Sequence, residues 1–467
     1  MSASFPGRAT GPRSSALQSA IAAEAGGPPD HRLADAWAAR CVDADQILLD
    51  TAGVAAANRR MLALDPSVRD LDALPAVLAA ADVARLVGAL SRPPEQGVID
   101  AGAGGAAGAV SAADRDRWVA AANLAAIAAP VTPRFALVTR RASLRRFPTS
   151  ERVRRPGGTP DIDLFQESAF FPGTPVAAVH ATADDRWTFV LGTTYAAWIE
   201  TAALAFGSRD TVLDHARRGA VVVTAARARA VPAADGAATA AVVLDMGTTL
   251  PAARDPGTRL PGGAPGSGAA DDGAVGDGLV ELPVRAPDGA LALVAARVAP
   301  AGAVCFGALP ASRRHVLRQA FRFLGEPYGW GHDHGARDCS GFVCDVYRSL
   351  GLVLPRNTPD QAASPALDRV VIEHQWPRDR RLTEIARLRP GDLVHVPRHV
   401  MMVVGHDETG PWVIHDTHDG RLAGAAAPVS GVVVAPLARI LAADGGPIID
   451  TVTTLVRVLP SCVADGM

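Results

Sequence analysis

The chain has 467 residues, 48% of them hydrophobic, with five cysteines and a formal net charge of −2. Its length predicts about three domains, and its near-balanced charge removes any broad electrostatic reason to expect nucleic acid or an acidic membrane surface as partner. Five scattered cysteines (Cys41, Cys305, Cys339, Cys344 and Cys462) exclude a disulfide framework, and no run approaches the ~18 apolar residues of a transmembrane helix.

Residues 1–30 read as disordered. They contain arginines but no apolar core of a signal peptide, so the literal sequence places the chain in the cytoplasm; a misassigned or trimmed start would allow periplasm or cell envelope. Residues 31–127 read as helical: "LADAWAARCVDADQILLDTAGVAAANRRMLAL" spaces its apolar residues by three and four. "GVIDAGAGGAAGAV" reads as a loop and "DRDRWVAAANLAAIA" as a short helix. Short apolar runs cut by turn residues predict a small β-barrel over 128–208 and a second over 209–305. A Pro/Gly/Ala/Asp-rich insertion at 252–278 is expected to be mobile. From 306 to 467 two amphipathic segments, "SRRHVLRQAFRFLG" and "CSGFVCDVYRSLG", precede the β-like runs "DLVHV", "HVMMVVG", "WVIHD", "GVVVAPL" and "TTLVRVL". Helices followed by an antiparallel sheet make an α+β domain.

Chemistry concentrates at Cys339. Asp338 can cap the helix that Cys339 opens. A thiol there meets unpaired backbone N–H groups and the positive end of the helix dipole, and both favour the nucleophilic thiolate. A base and an orienting partner are then needed. His399 and His415, on strands that pairing can bring side by side, supply both. Cys344 reads as a packed structural thiol. "HDH" at His332, Asp333 and His334 leaves a metal site open as a rival, although no HExxH or paired CxxC accompanies it.

The ordered series "YGWGHDHGARDCSGF", "LPRNTPDQ", "RPGDLVHVPRHVMMVVG" and "WVIHDTH" resembles the NlpC/P60 cysteine peptidases of bacterial cell walls. Upstream, "LRRFPTS", "DLFQESAFFPGTPVAAVH", "DDRWTFV" and "YAAWI" resemble the first bacterial SH3 domain of the multidomain subgroup, and "DADQILLDTAGVAAANRRM" its helical stabilising segment. The resemblance implies a papain-like catalytic domain behind two SH3-like barrels and a helical N-terminal segment. It implies cleavage of the γ-D-glutamyl to L-diamino acid bond of peptidoglycan stem peptides or muropeptide fragments, without a cofactor. Cys339 takes the nucleophile position, His399 the base and His415 the third catalytic position. Tyr328 falls where the family keeps a tyrosine beside the nucleophile, and Asp338 and Ser340 fall where it contacts the N-terminal alanine of the substrate, which is expected to be free. The subgroup's first SH3 domain lines the substrate cleft, and Glu167 and Tyr195 are the polar candidates for substrate contact there, with a solvated Glu and a packed Tyr as the alternative reading.

Two positions depart from the subgroup. Asn357-Thr358 replaces Asp-Ser after L-P-R, keeping a hydroxyl at Thr358 but losing a charge, and His332 stands where a second glycine often follows Y-x-W-G. Both bear on substrate preference. Competing readings are a non-catalytic peptidoglycan-binding protein and an acyltransferase on the same scaffold.

Overall fold

The computed structural model describes residues 33–100, 108–232, 240–253 and 278–460. The expected disorder at 1–30 and most of the insertion at 252–278 lie outside them, as does Cys462. The chain divides into two compact units. A barrel unit contains Leu49–Ala311 and Gly329–Ala366, and a sheet unit contains Met1–Leu48, Ser312–Tyr328 and Leu367–Met467.

In the barrel unit the N-terminal part opens with helices at Thr51–Leu64 and Ala80–Leu90, with turns between them. Asp50 caps the first helix by accepting from the Gly53 amide, and Val83 and Val87 of the second are fully buried. The Gly/Ala segment is not all loop. Its ends, Val98–Ile99 and Gly108–Ala109, pair with each other, and Val153–Arg154 adds a third strand. A ten-residue helix follows at Ala112–Ala121, opened by a capping box between Ser111 and Asp114.

Seven strands then form one antiparallel sheet: β1 Arg134–Val138, β2 Ala142–Arg145, β3 Gln166–Phe170, β4 Pro175–Ala181, β5 Trp187–Leu191, β6 Ala196–Glu200 and β7 Leu204–Gly207. Their order is β7-β1-β4-β5-β6-β2-β3. Alternate residues of β1 enter different clusters. Phe135 and Leu137 pack with Phe189 and Trp198, while Ala136 and Val138 pack with Val176 and Val190. Both faces are therefore covered, as period-2 alternation requires of a buried strand.

Seven more strands follow: β8 Val221–Val223, β9 Arg227–Pro232, β10 Val242–Asp245, β11 Thr249–Leu250, β12 Leu279–Arg285, β13 Leu291–Ala299 and β14 Val304–Phe306. They make two small sheets, β11-β8-β14 and β10-β9-β13-β12, around a Val/Leu/Ala core. The run of expected strands is broken at its start by a helix, Arg209–Arg217, which Ser208 caps by accepting from the Thr211 amide. Its apolar positions are too few to show helical periodicity, so the cap is its main sequence mark.

The sheet unit is built on β15 Asp368–Val371, β16 Leu393–Val396, β17 His399–Asp407, β18 Gly410–Leu422, β19 Val429–Pro436, β20 Ile440–Leu441 and β21 Thr454–Arg457. The order is β15-β21-β16-β17-β18-β19, with β20 against β18. Helix Arg378–Ala386, which apolar periodicity did not mark, contributes Ile385 to the core beside Val394, Met401 and Val413. Helix Arg313–Phe321 carries a fully buried Arg313 that donates to the Pro390 carbonyl (2.7 Å). The fold class is α+β. No helix among the described residues is long and apolar enough to cross a membrane.

Candidate active site

In the barrel unit Cys339 is the first residue of the helix Cys339–Ser349. Asp338 is its N-cap: Oδ1 accepts from the Gly341 amide at 2.8 Å. The helix stops at Gly351, whose φ of +79° suits a residue without Cβ. Cys339 is buried, and its Sγ lies 3.6 Å from the Thr358 hydroxyl. Thr358 opens the next short helix, Thr358–Ala363, and Asn357 before it donates to Asp360 (3.0 Å).

Asp338 does more than cap. Its Oδ2 accepts from the Gly331 amide at 2.9 Å and from Arg356 Nη2 at 2.7 Å, and Ser340 Oγ donates to Oδ1 at 3.4 Å. Four donors match the roughly four lone-pair sites of a carboxylate. Burial alone would raise the Asp338 carboxyl; the Arg356 guanidinium overrides it and holds the group below the usual range.

Arg356 is the hub. It is 6% exposed, and besides Asp338 it donates to Ser168 Oγ (2.7 Å), Ser340 Oγ (3.0 Å) and the His332 ring at Nδ1 (2.9 Å). The Nδ1 of His332 must therefore be the acceptor, which requires a neutral ring. Burial, and then the Arg356 charge, push His332 down to about 4. This histidine lies in the left-handed region at φ +64°, with His334 at +53° and glycines 331 and 335 on either side, also left-handed. Each such non-glycine residue costs on the order of 1 kcal/mol, so the loop persists only if its surroundings hold it. Its ring leaves no room at Gly341, where a Cβ would sit 2.4 Å from His332 Cε1.

Two residues of the "HDH" run are held by arginines and the third is exposed. His332 serves Arg356, Asp333 accepts from Arg152 (2.6 Å), and His334 is exposed. No group of three metal-ligating side chains occurs among the described residues.

On the first barrel, Tyr195 donates to Glu167 Oε2 at 2.6 Å and Arg146 Nε donates to Oε1 at 2.7 Å. Burial and the Glu167 charge raise the Tyr195 phenol, so it stays protonated and donating. Gln166 beside them donates to the Gly331 carbonyl (2.8 Å), and the Trp330 indole donates to the Gln166 carbonyl (3.0 Å). Glu167 is thereby tied through its neighbour to the loop before Cys339.

In the sheet unit His399 opens β17 and His415 lies within β18. His399 Nε2 and His415 Nδ1 are 2.8 Å apart, and their rings cross at 69°. A proton lies between two nitrogens, one donating and one accepting. Burial pushes His399 down to about 4 and His415 well below its ordinary value, so both are neutral at neutral pH. A third histidine, His395 on β16, is completely buried, and neither ring nitrogen has a hydrogen-bond partner among the described residues. Burial, with the nearby His399 adding to it, pushes His395 down to about 3. Tyr328 meets the His418 ring edge-on at 5.4 Å.

Sequence reasoning named Asp338, Ser340 and Cys339 but missed Arg356 and the role of His332. The arginine of L-P-R was the available signal for the first. His395, inside "DLVHV", was read only as a strand residue, although a histidine in an otherwise apolar run is a signal. The other described cysteines are free thiols. Burial raises Cys41 and Cys305 to about 11 and Cys344 to about 12.

Residues 325–426 match the NlpC/P60 family and residues 151–200 the SH3 domain of SH3b1 type. No curated protein matches. Among solved structures, an NlpC/P60 endopeptidase from Photobacterium damselae subsp. piscicida is similar at 18% identity and TM-score 0.64, covering 85% of this chain and 88% of that one. An NlpC/P60 family protein from Bacillus cereus ATCC 10987 aligns at 18% identity over 70% of this chain and 100% of that one, with TM-score 0.46.

Proposed function

We propose, for a chain that carries a papain-like NlpC/P60 domain and an SH3 domain of SH3b1 type, hydrolysis of the γ-D-glutamyl to L-diamino acid bond of peptidoglycan stem peptides. The observation that carries this reading is Cys339 at the start of a capped helix, in a chain whose sheet supplies a neutral, hydrogen-bonded imidazole pair. Cys339 Sγ attacks the γ-carbonyl carbon and gives its proton to His399. His399 returns that proton to the departing amine of the diamino acid, leaving a thioester on Cys339. It then takes a proton from water, whose oxygen attacks the thioester and releases the γ-carboxylate and the thiol. His415, bonded to His399, orients the ring. Backbone N–H groups at the helix start face the developing oxyanion.

The structure supports one refinement of which residue meets the substrate's N-terminus. Asp338 spends all its acceptor capacity within the chain, so an L-alanine ammonium falls to Glu167, which Tyr195 holds in place. A muramyl-linked alanine has no such charge. The expected outcome is cleavage of L-Ala-γ-D-Glu-diamino acid and poor cleavage of its muramyl-linked form. In the test, kcat/KM is measured on both for the parent, Cys339→Ala, His399→Ala and Glu167→Gln. Cys339→Ala and His399→Ala should each lose at least roughly a thousandfold in kcat. Glu167→Gln should narrow the difference between the two substrates. Wild-type turnover by Cys339→Ala ends the reading, and equal rates on both peptides in the parent end the free-amine assignment.

A further inference from the structure

We infer that Asp245, on the second small barrel, is a positioning residue for Cys339, acting through the loop at 329–337; this rests on Cys339 being the nucleophile. Asp245 ends β10 and is completely buried. Its Oδ1 accepts from Arg141 Nη1 and from Arg337 Nη2 (3.1 Å), with Arg227 Nε at 3.9 Å. Guanidiniums repel one another when buried together, so this one carboxylate is what lets Arg141 and Arg337 share the site.

Both arginines pass the grip to the loop. Arg141 Nη2 donates to the carbonyls of His332 (2.7 Å) and Ala336 (2.8 Å). Arg337 is itself the residue before Asp338; its Nε donates to Asp345 on the Cys339 helix (2.6 Å), and its carbonyl accepts from the Gly329 amide (2.6 Å). A loop with four left-handed residues is thus clamped at both ends and in the middle by groups that converge on Asp245. What the clamped loop delivers is the Gly331 amide to Asp338 and the His332 ring to Arg356, the contacts that set the cap of the Cys339 helix. A scaffold barrel needs no charge at this spot. A neutral core residue would pack as well, and burying an ionised carboxylate is costly unless it is fully paired. Its second oxygen, Oδ2, has no hydrogen-bond partner among the described residues.

The test uses the full chain and Asp245→Asn, with the exposed Asp288→Asn as control. Three quantities are read: kcat, KM, and the pH profile of iodoacetamide alkylation at Cys339, followed by mass spectrometry. Asp245→Asn should lower kcat by about tenfold or more, since small misplacements of reacting groups are expensive. KM should move less than about threefold, and the alkylation profile should shift to higher pH as the thiolate loses its ordered helix start. Asp245→Asn combined with Arg141→Lys should cost little more than either alone, because both act through one clamp. A folded Asp245→Asn with parental kcat and alkylation profile overturns the inference, even if it melts earlier. If Asp245→Asn does not fold, Arg141→Met, which removes both carbonyl contacts at a less buried position, is judged by the same readouts. The alkylation profile needs no substrate, so it decides the role of Asp245 even if Cys339→Ala keeps activity and the hydrolase reading fails.

Discussion

The surroundings of Cys339 in the barrel unit and of His395, His399 and His415 in the sheet unit bury their polar groups by different means. Around Cys339 the buried groups are charged and answered: Asp338 by Arg356, Asp345 by Arg337 and Arg348, Asp245 by Arg141 and Arg337. Burial would raise Asp345, but the Arg348 and Arg337 guanidiniums hold it far below the usual carboxylate range. On the strands that carry His395, His399 and His415 the buried imidazoles are held neutral by desolvation, and several of their nitrogens, including His415 Nε2, make no hydrogen bond among the described residues. Charged networks fix geometry because each bond is directional and the loss of one partner strands another. Burial disfavours the charged form of these imidazoles and keeps them neutral, the form in which a ring nitrogen is free to accept a proton. A nucleophile benefits from the first environment and a base from the second.

The largest effect that would sharpen this contrast is expected at Arg356. Arg356→Met should destabilise by about 3–5 kcal/mol, because it leaves the Asp338 carboxylate buried without its counter-charge. Chemical denaturation of the variant checks it. A loss under about 1 kcal/mol, the range of an exposed pair, would mean that the cluster is not the rigid element described.

A smaller effect, opposite in sign, is expected at His395. His395→Leu should stabilise the chain, since it replaces two buried ring nitrogens that have no partner with hydrocarbon of similar size. The gain should depend on pH. The folded-state pKa of His395 is depressed, so its neutral form is tolerated above the unfolded value near 6.5. Below it the unfolded chain takes up a proton that the folded chain refuses, and stability falls as pH drops toward about 3. The advantage of His395→Leu should therefore grow by about 2 kcal/mol between pH 7 and pH 5. Melting curves of parent and variant at the two pH values measure it. A pH-independent difference would show that His395 is protonated, or partnered, in the folded state.

The smallest effect is expected at Cys344, five residues beyond Cys339 on the same helix. Its thiol donates to the Pro355 carbonyl at 3.4 Å and accepts from Gln361 at 3.4 Å. Cys344→Ala should cost on the order of 1 kcal/mol and leave kcat at the parental value, because a thiol held protonated by burial is not a nucleophile at neutral pH. Loss of turnover in this variant would mean that the wrong cysteine has been assigned.

Local pattern alone determined the helix at Cys339, with its Asp338 cap and its stop at Gly351, because caps and left-handed stops act over three or four residues. It also marked the strands that carry His399 and His415, since their apolar runs are continuous, and it marked the order of motifs that resembles the NlpC/P60 peptidases. It was weaker where short-range signals conflict or are sparse. The helix Arg209–Arg217 went unmarked inside the range of the second barrel, and the pairing of Val98–Ile99 with Gly108–Ala109 was hidden in a glycine-rich run. Tertiary structure alone decided what surrounds Cys339. Asp245 meets Arg337 across 92 positions of chain and Arg141 meets the His332 carbonyl across 191. Contacts that distant leave no periodicity to read. A buried charge is legible only when its partner is known, so Arg356 and Asp245 stood in the sequence as ordinary polar residues, and His332 as a metal candidate, until the fold brought their partners to them.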